Sequence, residues 1–358
     1  MLDIGLGIVA AALVLVTLVP FVPLRYWWVR GFDFPRLQLA SLALLAGLTQ
    51  WLLGSAEWRW WSIAACVAVA AVQFMYILPW TPLAATPVKQ APDDHRGHRI
   101  TLLIANVLTP NRNAEGLLRQ IHAHQPDVIL TLESDEWWGE QLNRSLEDKW
   151  RYCVRVPLDN LYGMHLFSTL PLEEVEVKWL IQHDVPSIHG WLRLPDNSRI
   201  RLHAMHPRPP APGESEESLW RDAELLLVGQ EIRDSHEPTL LAGDLNDVAW
   251  SRTTRLFCHV SGMLDPRRGR GMFSTFHAGY PIIRWPLDHI FISSHFTLNR
   301  IQRLEAFGSD HFPILASFTH SPAHAAENDE PQASADERRE AEATVEEGRQ
   351  RGDGEAHG

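Results

Sequence analysis

The chain has 358 residues, a formal net charge of −12 and three cysteines. That length suits one large domain or two modest ones. Cys66, Cys153 and Cys258 are too scattered for a metal-spaced pair or a disulfide framework. The acidic balance argues against a protein whose main task is to grip long nucleic acid, which usually needs a positive face.

From the N-terminus, residues 6–24, 37–54 and 61–80 form three largely apolar runs with no charged residue inside them. Each has the length, about 18–20 residues, that a helix needs to cross a bilayer core. Trp27, Trp28, Trp51, Trp58, Trp60, Trp61 and Trp80 gather at their ends, as aromatics do at a membrane interface. Buried helices of a soluble domain could share these lengths, but three uninterrupted runs favour three transmembrane helices within residues 1–80. A cleaved signal peptide does not fit, because the start carries no positive charge and two further runs follow. Proline-bearing residues 81–98 read as a linker.

Residues 99–319 alternate between strand-like and helix-like patterns. Short apolar or alternating runs at 100–106, 128–132, 163–168, 190–194, 199–205, 239–242 and 288–292 predict strands. Helical spacing at 114–124, 136–146, 215–233 and 252–260 predicts helices between them. Such mixing indicates an α/β or α+β domain with helices over at least one sheet face. Residues 320–358 carry 11 acidic and 4 basic residues and almost no large apolar ones. A segment of that composition is expected to be disordered, apart from a solvated helix around residues 336–347.

The informative feature is where the polar residues fall. The predicted strands run into Asn106, Glu133, His206 and Asp244–Asn246; another begins at Asp288-His289, and residues 306–309 lead to Asp310-His311. Loops held at strand ends by a rigid scaffold are where binding and catalytic groups are typically found. Each motif also has a plain reading. Gly243-Asp244-Leu245-Asn246-Asp247 has the composition of a capped turn, and Glu133 could be an acid leading a helix. Asp288, flanked by Leu287, Ile290 and Phe291, needs a partner if it is buried.

Asn106, Leu132-Glu133, Tyr162-Gly163, His206, Gly243-Asp244-Leu245-Asn246, Leu287-Asp288-His289 and Ser309-Asp310-His311 occur in the order typical of the endonuclease/exonuclease/phosphatase superfamily. The chain resembles that superfamily over about residues 99–319, and resembles its membrane-anchored bacterial branch in its N-terminal runs. The resemblance implies a four-layer α/β sandwich, two packed mixed sheets flanked by helices, with the active site at one end. It also implies hydrolysis of a phosphoester by attack of water, assisted by Mg²⁺ or alternatively Mn²⁺.

By the same resemblance Glu133 is the principal metal ligand, with Asn106 and Asp310 beside it. His311 is the catalytic imidazole and Asp288 orients it; Asp244 and Asn246 position or deprotonate water, and His206 donates to a phosphoryl oxygen. Tyr162 is a substrate contact. Whether the His311–Asp288 pair takes the water proton or contacts phosphate stays open.

The loop Pro207-Arg208-Pro209-Pro210 is poor in cations compared with the nuclease branch. Arg267, Arg268 and Arg270 form the conspicuous basic cluster, with Arg268 a candidate phosphate contact. A site tethered to a bilayer meets lipid-linked esters at high effective concentration. The expected partners are therefore a phosphoester, preferably lipid-linked, and the bilayer, with nucleic acid less favoured. A DNA or RNA endonuclease or exonuclease and a non-catalytic membrane scaffold are the alternatives. Arg25, Arg30 and Arg36 between the first two runs, with Lys89, Arg96 and Arg99 after the third, place the large domain in the cytoplasm by the positive-inside rule. A role on exported lipid carriers at a bacterial inner membrane would prefer the opposite side.

Overall fold

The structure, a computed structural model, describes residues 2–91 and 97–355. Arg96, counted above among the orienting charges, lies outside the described residues. The chain divides into two compact units, residues 1–85 with 210–218, and residues 86–209 with 219–358.

The smaller unit is helical: α1 (Leu2–Leu18), the single turn α2 (Trp27–Arg30), α3 (Arg36–Leu53) and α4 (Ala56–Ile77). Residues 3–21 and 58–80, centred on α1 and α4, are long and apolar enough to cross a membrane. The middle helix, expected as a third span, does not meet that standard. Its apolar run is diluted by Arg36, Gln38, Thr49 and Gln50.

The unit packs small residues inward. Ala10, Ala40, Ala43, Cys66 and Ala70 are buried, while Ile4, Ile8, Leu15, Trp51, Leu52, Trp60, Trp61 and Met75 are exposed. Water penalises that arrangement, whereas close packing of small residues between helices is what lipid allows. Polar side chains lie inside the bundle: Arg36 donates to Asp33 (2.5 Å) and Gln73 (3.2 Å), and Gln73 donates to Thr17 (2.9 Å). Residues 210–218 join this unit through an antiparallel bridge between Tyr26 and Glu217.

The larger unit runs β1 (Arg99–Asn106), α5 (Ala114–His124), β2 (Val128–Leu132), α6 (Glu136–Leu146), β3 (Tyr152–Val156), β4 (Met164–Ser168), β5 (Leu172–Lys178), β6 (Ser187–Arg193) and β7 (Arg199–Met205). It continues through α7 (Leu219–Ser235), β8 (Thr239–Asp244), α8 (Arg252–Ser261), β9 (Asp288–Ile292), β10 (Phe296–Arg303), β11 (Ile314–His320) and α9 (Ala335–Glu355). The strands form two mixed sheets, ordered β10-β11-β1-β2-β4-β3 and β5-β6-β7-β8-β9.

Each sheet contains one parallel pair, β1–β2 and β7–β8, and each pair is joined through a helix, as a parallel connection requires. Alternation sorts the side chains. Ile100, Leu102 and Ile104 of β1 meet Ile200, Leu202 and Ala204 of β7 in the core between the sheets. Leu103, Ala105 and Ile129 pack instead under α5 and α6. Leu241 and Phe291 pack under α7 and α8.

Two segments differ from expectation. Within the supposed linker, Val88 is fully buried in the inter-sheet core, and Gln90 bridges Leu298 of β10. The tail, expected to be disordered, contains α9. Ala341 and Val345, four positions apart, are buried beside Leu225, Val228 and Phe257, and Arg252 binds Glu340 through two hydrogen bonds of 2.9 and 2.6 Å. Two small apolar residues on one face suffice here because α7 supplies the rest of the apolar surface.

Candidate active site

Sheet register brings the polar residues to one end. β1 and β2 are parallel and pair Asn106 with Leu132, so Asn106 and Glu133 emerge together. β4 runs antiparallel to β2 and pairs Met164 with Leu132, which sets Tyr162-Gly163 beside Glu133. β11 runs antiparallel to β1 and starts level with Ile104, so the loop holding Asp310-His311 precedes it at the same end. In the second sheet β7 and β8 leave His206 and Asp244 together, and β9 pairs Asp288 directly with Asp244. Residues 306–309, which lead to Asp310-His311, belong to the loop between β10 and β11.

The turn after β8 depends on Gly243. Its φ is +154°, and a Cβ there would lie 1.8 Å from the Met205 carbonyl oxygen. Asn246 (φ +52°) and Glu133 (φ +56°) are also in the left-handed region, a conformation that costs energy in non-glycine residues and tends to mark functional loops. Asp244 Oδ1 accepts from the Asn246 backbone N–H (2.9 Å), and the Asn246 amide donates to the Pro207 carbonyl (3.1 Å).

Asp244 is the centre of the cluster. Its Oδ2 accepts from Asn106 Nδ2 (3.0 Å) and lies 3.5 Å from His311 Nε2 and 3.9 Å from His206 Nε2. His311 Nδ1 bonds Asp288 Oδ2 at 2.8 Å. Asn106 Nδ2 also donates to Glu133 Oε1 (2.7 Å), and Ser309 Oγ ties the Asn106 carbonyl (2.8 Å) to the loop carrying His311. Tyr162 is buried with its ring 5.5 Å from that of His206, and the Arg208 guanidinium lies 5.1 Å from the Tyr162 ring centre. Of the candidate site residues, Arg268 stays apart. It is exposed, and its backbone N–H donates to the Asp265 carbonyl at 3.3 Å.

The titration behaviour follows from this packing. Burial raises the Glu133 carboxyl to about 7, with Asp244 and Asp310 adding to the rise against the Asn106 amide and His311. Burial opposes charge on His311, but Asp288, Asp244 and Asp310 outweigh it and lift the imidazole to about 10. Asp244 is held below its ordinary value despite burial, through His311, His206 and the two amide donors. Asp288 is pushed up by burial and by Asp244, so the Asp288–His311 pair keeps its shared proton firmly.

The donor set suits a hard divalent cation. Asp244 and Asp310 crowd the Glu133 carboxylate and raise its proton affinity, a repulsion that such a cation relieves. Asp244, Asp288 and His311 also lie within 4.8 Å of one another, but a cation there would have to break the His311–Asp288 bond. The Glu133–Asp310 side therefore fits better. Asn106, expected as a ligand, turns its nitrogen to both carboxylates; rotating the amide would present its oxygen instead.

Four supporting residues, Arg267, His289, Arg221 and Thr275, had no role assigned from the sequence. Arg267, fully buried, binds Asp265 (2.6 Å), the Asp288 carbonyl (3.0 Å) and His289 Nδ1 (2.7 Å). His289 Nε2 in turn bonds the Asp247 carbonyl (2.9 Å), linking β9 to the turn after β8. Arg221 donates to the Asn246 carbonyl (2.8 Å) and pairs with Asp247 (3.1 Å). Thr275 Oγ1 accepts from the Leu287 and Asp288 backbone N–H groups. The conspicuous arginine run at 267–270 was the one available signal.

A family model described as the endonuclease/exonuclease/phosphatase family matches residues 103–311. The chain belongs to this family. Family members are hydrolases acting on phosphoesters. No curated protein matches the chain.

Among solved structures, the chain is similar to D. rerio TDP2 complexed with a single strand DNA product, with 15% identity, TM-score 0.52, and coverage of 62% of this chain and 99% of that one. It is similar to the catalytic domain of human Nocturnin with a bound sulfate anion, with 16% identity, TM-score 0.52 and coverage of 66% and 96%. A family protein from Bacteroides thetaiotaomicron gives 16% identity, TM-score 0.52 and coverage of 63% and 100%. At these identities the likeness establishes the fold.

Proposed function

We propose that the chain is a membrane-anchored, Mg²⁺-dependent phosphohydrolase acting on a lipid-linked phosphoester. The observation that carries the catalytic part is the junction at Asp244, where an ionised carboxylate faces His311, His206 and Asn106 at 3.0–3.9 Å. A cation held by Glu133 and Asp310, with Asn106 if its amide turns, would polarise the phosphoryl oxygens and shield their charge.

This chain's own residues supply the rest. Asp244, kept ionised, orients a water and accepts its proton. Asp288 fixes His311 with Nε2 toward the site, and His311, kept protonated, donates to a phosphoryl oxygen as negative charge grows there. His206 and Asn246 add further hydrogen-bond donors; losing one such donor typically costs ~10²–10³ in rate. Of the two roles left open for His311, its raised proton affinity supports phosphate contact.

The membrane part is supported by two apolar helices and by the outward-facing bulky side chains of the helical unit. In the same reading α3 crosses as a third span. The positive-inside charges put the larger unit in the cytoplasm, and protease protection in spheroplasts tests that side. Incubating the full-length protein with Mg²⁺ and either a polyprenyl phosphate or supercoiled plasmid tests the substrate class. Release of inorganic phosphate, abolished by Asp244→Ala, is expected. Efficient plasmid nicking that Asp244→Ala abolishes, without phosphate release, would transfer the site to the nuclease reading. That alternative draws on the likeness to the DNA-bound TDP2 fold.

A further inference from the structure

Among the described residues, the larger unit exposes six large apolar side chains: Tyr152, Leu161, Trp179, Tyr280, Ile282 and Ile283. Three of the six fall within four consecutive positions, with Tyr280 55%, Ile282 76% and Ile283 46% exposed. Gly279 and Pro281 are exposed as well, so residues 279–283 form an uncharged surface run. Single exposed apolar residues need no explanation, but a contiguous cluster marks a contact surface.

The run is the tip of a hairpin rooted in the active site. Phe276 bridges Trp285 on the returning strand and His311 on its other side, and its ring lies 4.9 Å from the His311 ring. The Ala278 N–H donates to the Asp310 carbonyl at 2.6 Å. The His277 and Tyr280 rings stand edge to face at 4.7 Å, and Arg284 Nε caps the Tyr280 carbonyl at 2.7 Å. Below the tip, Arg284 and Arg303 lie 4.9 and 4.4 Å from the Phe312 ring centre, next in sequence to His311. The element therefore graduates from the phosphate-handling residues, through two guanidinium groups, to an apolar end.

We propose that residues 279–283 are the subsite for the apolar chain of the substrate, so that a long-chain phosphoester lies with its phosphate at Asp244–His311 and its first methylenes across Tyr280, Ile282 and Ile283. The inference rests on the phosphohydrolase reading above. An exposed apolar rim is costly unless something apolar covers it in use, and the chain of a lipid-linked ester emerging from the site would do so. A polar ester without a chain would leave the rim unused.

The test uses the full-length protein in phosphatidylcholine nanodiscs with Mg²⁺ and two matched pairs of probes. These are hexadecyl and ethyl phosphate, read by released phosphate, and their p-nitrophenyl diesters, read by p-nitrophenol. Wild type is expected to prefer the hexadecyl member of whichever pair it hydrolyses. In Ile282→Ser/Ile283→Ser the hexadecyl-to-ethyl ratio of kcat/KM should fall about 10-fold, roughly the transfer energy of one well-buried apolar side chain, through a higher KM at unchanged kcat. An unchanged ratio, or equal loss on both members, overturns the subsite while leaving hydrolysis standing. Hydrolysis of neither pair by wild type overturns the phosphohydrolase reading itself. If wild type instead cleaves a single-stranded oligonucleotide and Tyr280→Ser weakens that cleavage, the tip stacks bases and the lipid assignment falls.

Discussion

Replacing Arg267 by methionine isolates the buried strut behind the site. Arg267 and Asp265 are each about 1% exposed and are joined by contacts of 2.6 to 3.2 Å. Removing the guanidinium leaves the Asp265 carboxylate buried and uncompensated, which costs about 3–5 kcal/mol. The Asp288 carbonyl and His289 Nδ1 also lose their donor, at about 1–3 kcal/mol for a buried group left unmatched. A loss near 5 kcal/mol is expected for Arg267→Met, and a comparable one for Asp265→Leu.

The double variant removes both charges and should recover to a deficit of about 2 kcal/mol, the part belonging to Asp288 and His289. With a urea slope of roughly 2–3 kcal/mol per molar, the single variants should shift the unfolding midpoint by about 2 M and the double variant by about 1 M. Pulse proteolysis of the full chain reads this through fragments of the larger unit. If the two single losses add in the double variant, the pair is not coupled and the strut argument fails.

Asp288→Asn should lower the rate at neutral pH by about 10²–10⁴. Because Asp288 holds His311 up at about 10, the variant should also lose activity at a lower pH on the alkaline side, which a pH–rate profile reads. Glu224 on α7 is buried, its Oε1 has no hydrogen-bond partner among the described residues, and burial raises it to about 8. An acid raised on folding contributes stability present below its unfolded value and lost as pH rises to about 8. Glu224→Gln should therefore flatten the fall in melting temperature between pH 5 and pH 8, and a parallel fall in both proteins would remove Glu224 as the cause. Gly243→Ala should cost about 3 kcal/mol or more, read by the same proteolysis, because no side chain fits beside the Met205 carbonyl.

Strands buried on both faces were legible from their unbroken apolar runs. β2 and β9 fall where Val128–Leu132 and Asp288–Ile292 predict them. β3 and β5 were missed because they are edge strands whose Arg155, Glu173, Glu174 and Glu176 break the apolar signal. β11, though buried throughout, was hidden because Ser317, Thr319 and His320 break its apolar run. The helix over residues 215–233 starts only at Leu219. It buries Arg221, Asp222 and Glu224 along with its leucines, so it shows no clean stripe. Arg221 is buried against the turn after β8, and α9 covers part of the face that would otherwise have met water. In the site, the motif residues were readable because strand ends present them. Arg267 was visible only as one of a charged run, and nothing in its neighbours distinguished the buried arginine from exposed Arg268.

The pairing of β1 with β11 has a kinetic consequence. Ser309 and Asn106, bonded at the site, are separated by 203 positions, and β1 lies between β2 and β11 in its sheet. Closing so long a loop is entropically slow, and nonlocal strand pairing delays folding. During synthesis β1 can find β2 early but must wait for nearly the whole larger unit before its other edge is covered. Asn106 and His311 are brought together only by that last pairing. Hydrolytic activity would then be acquired late by the nascent chain, and lost when the β1–β11 pairing opens.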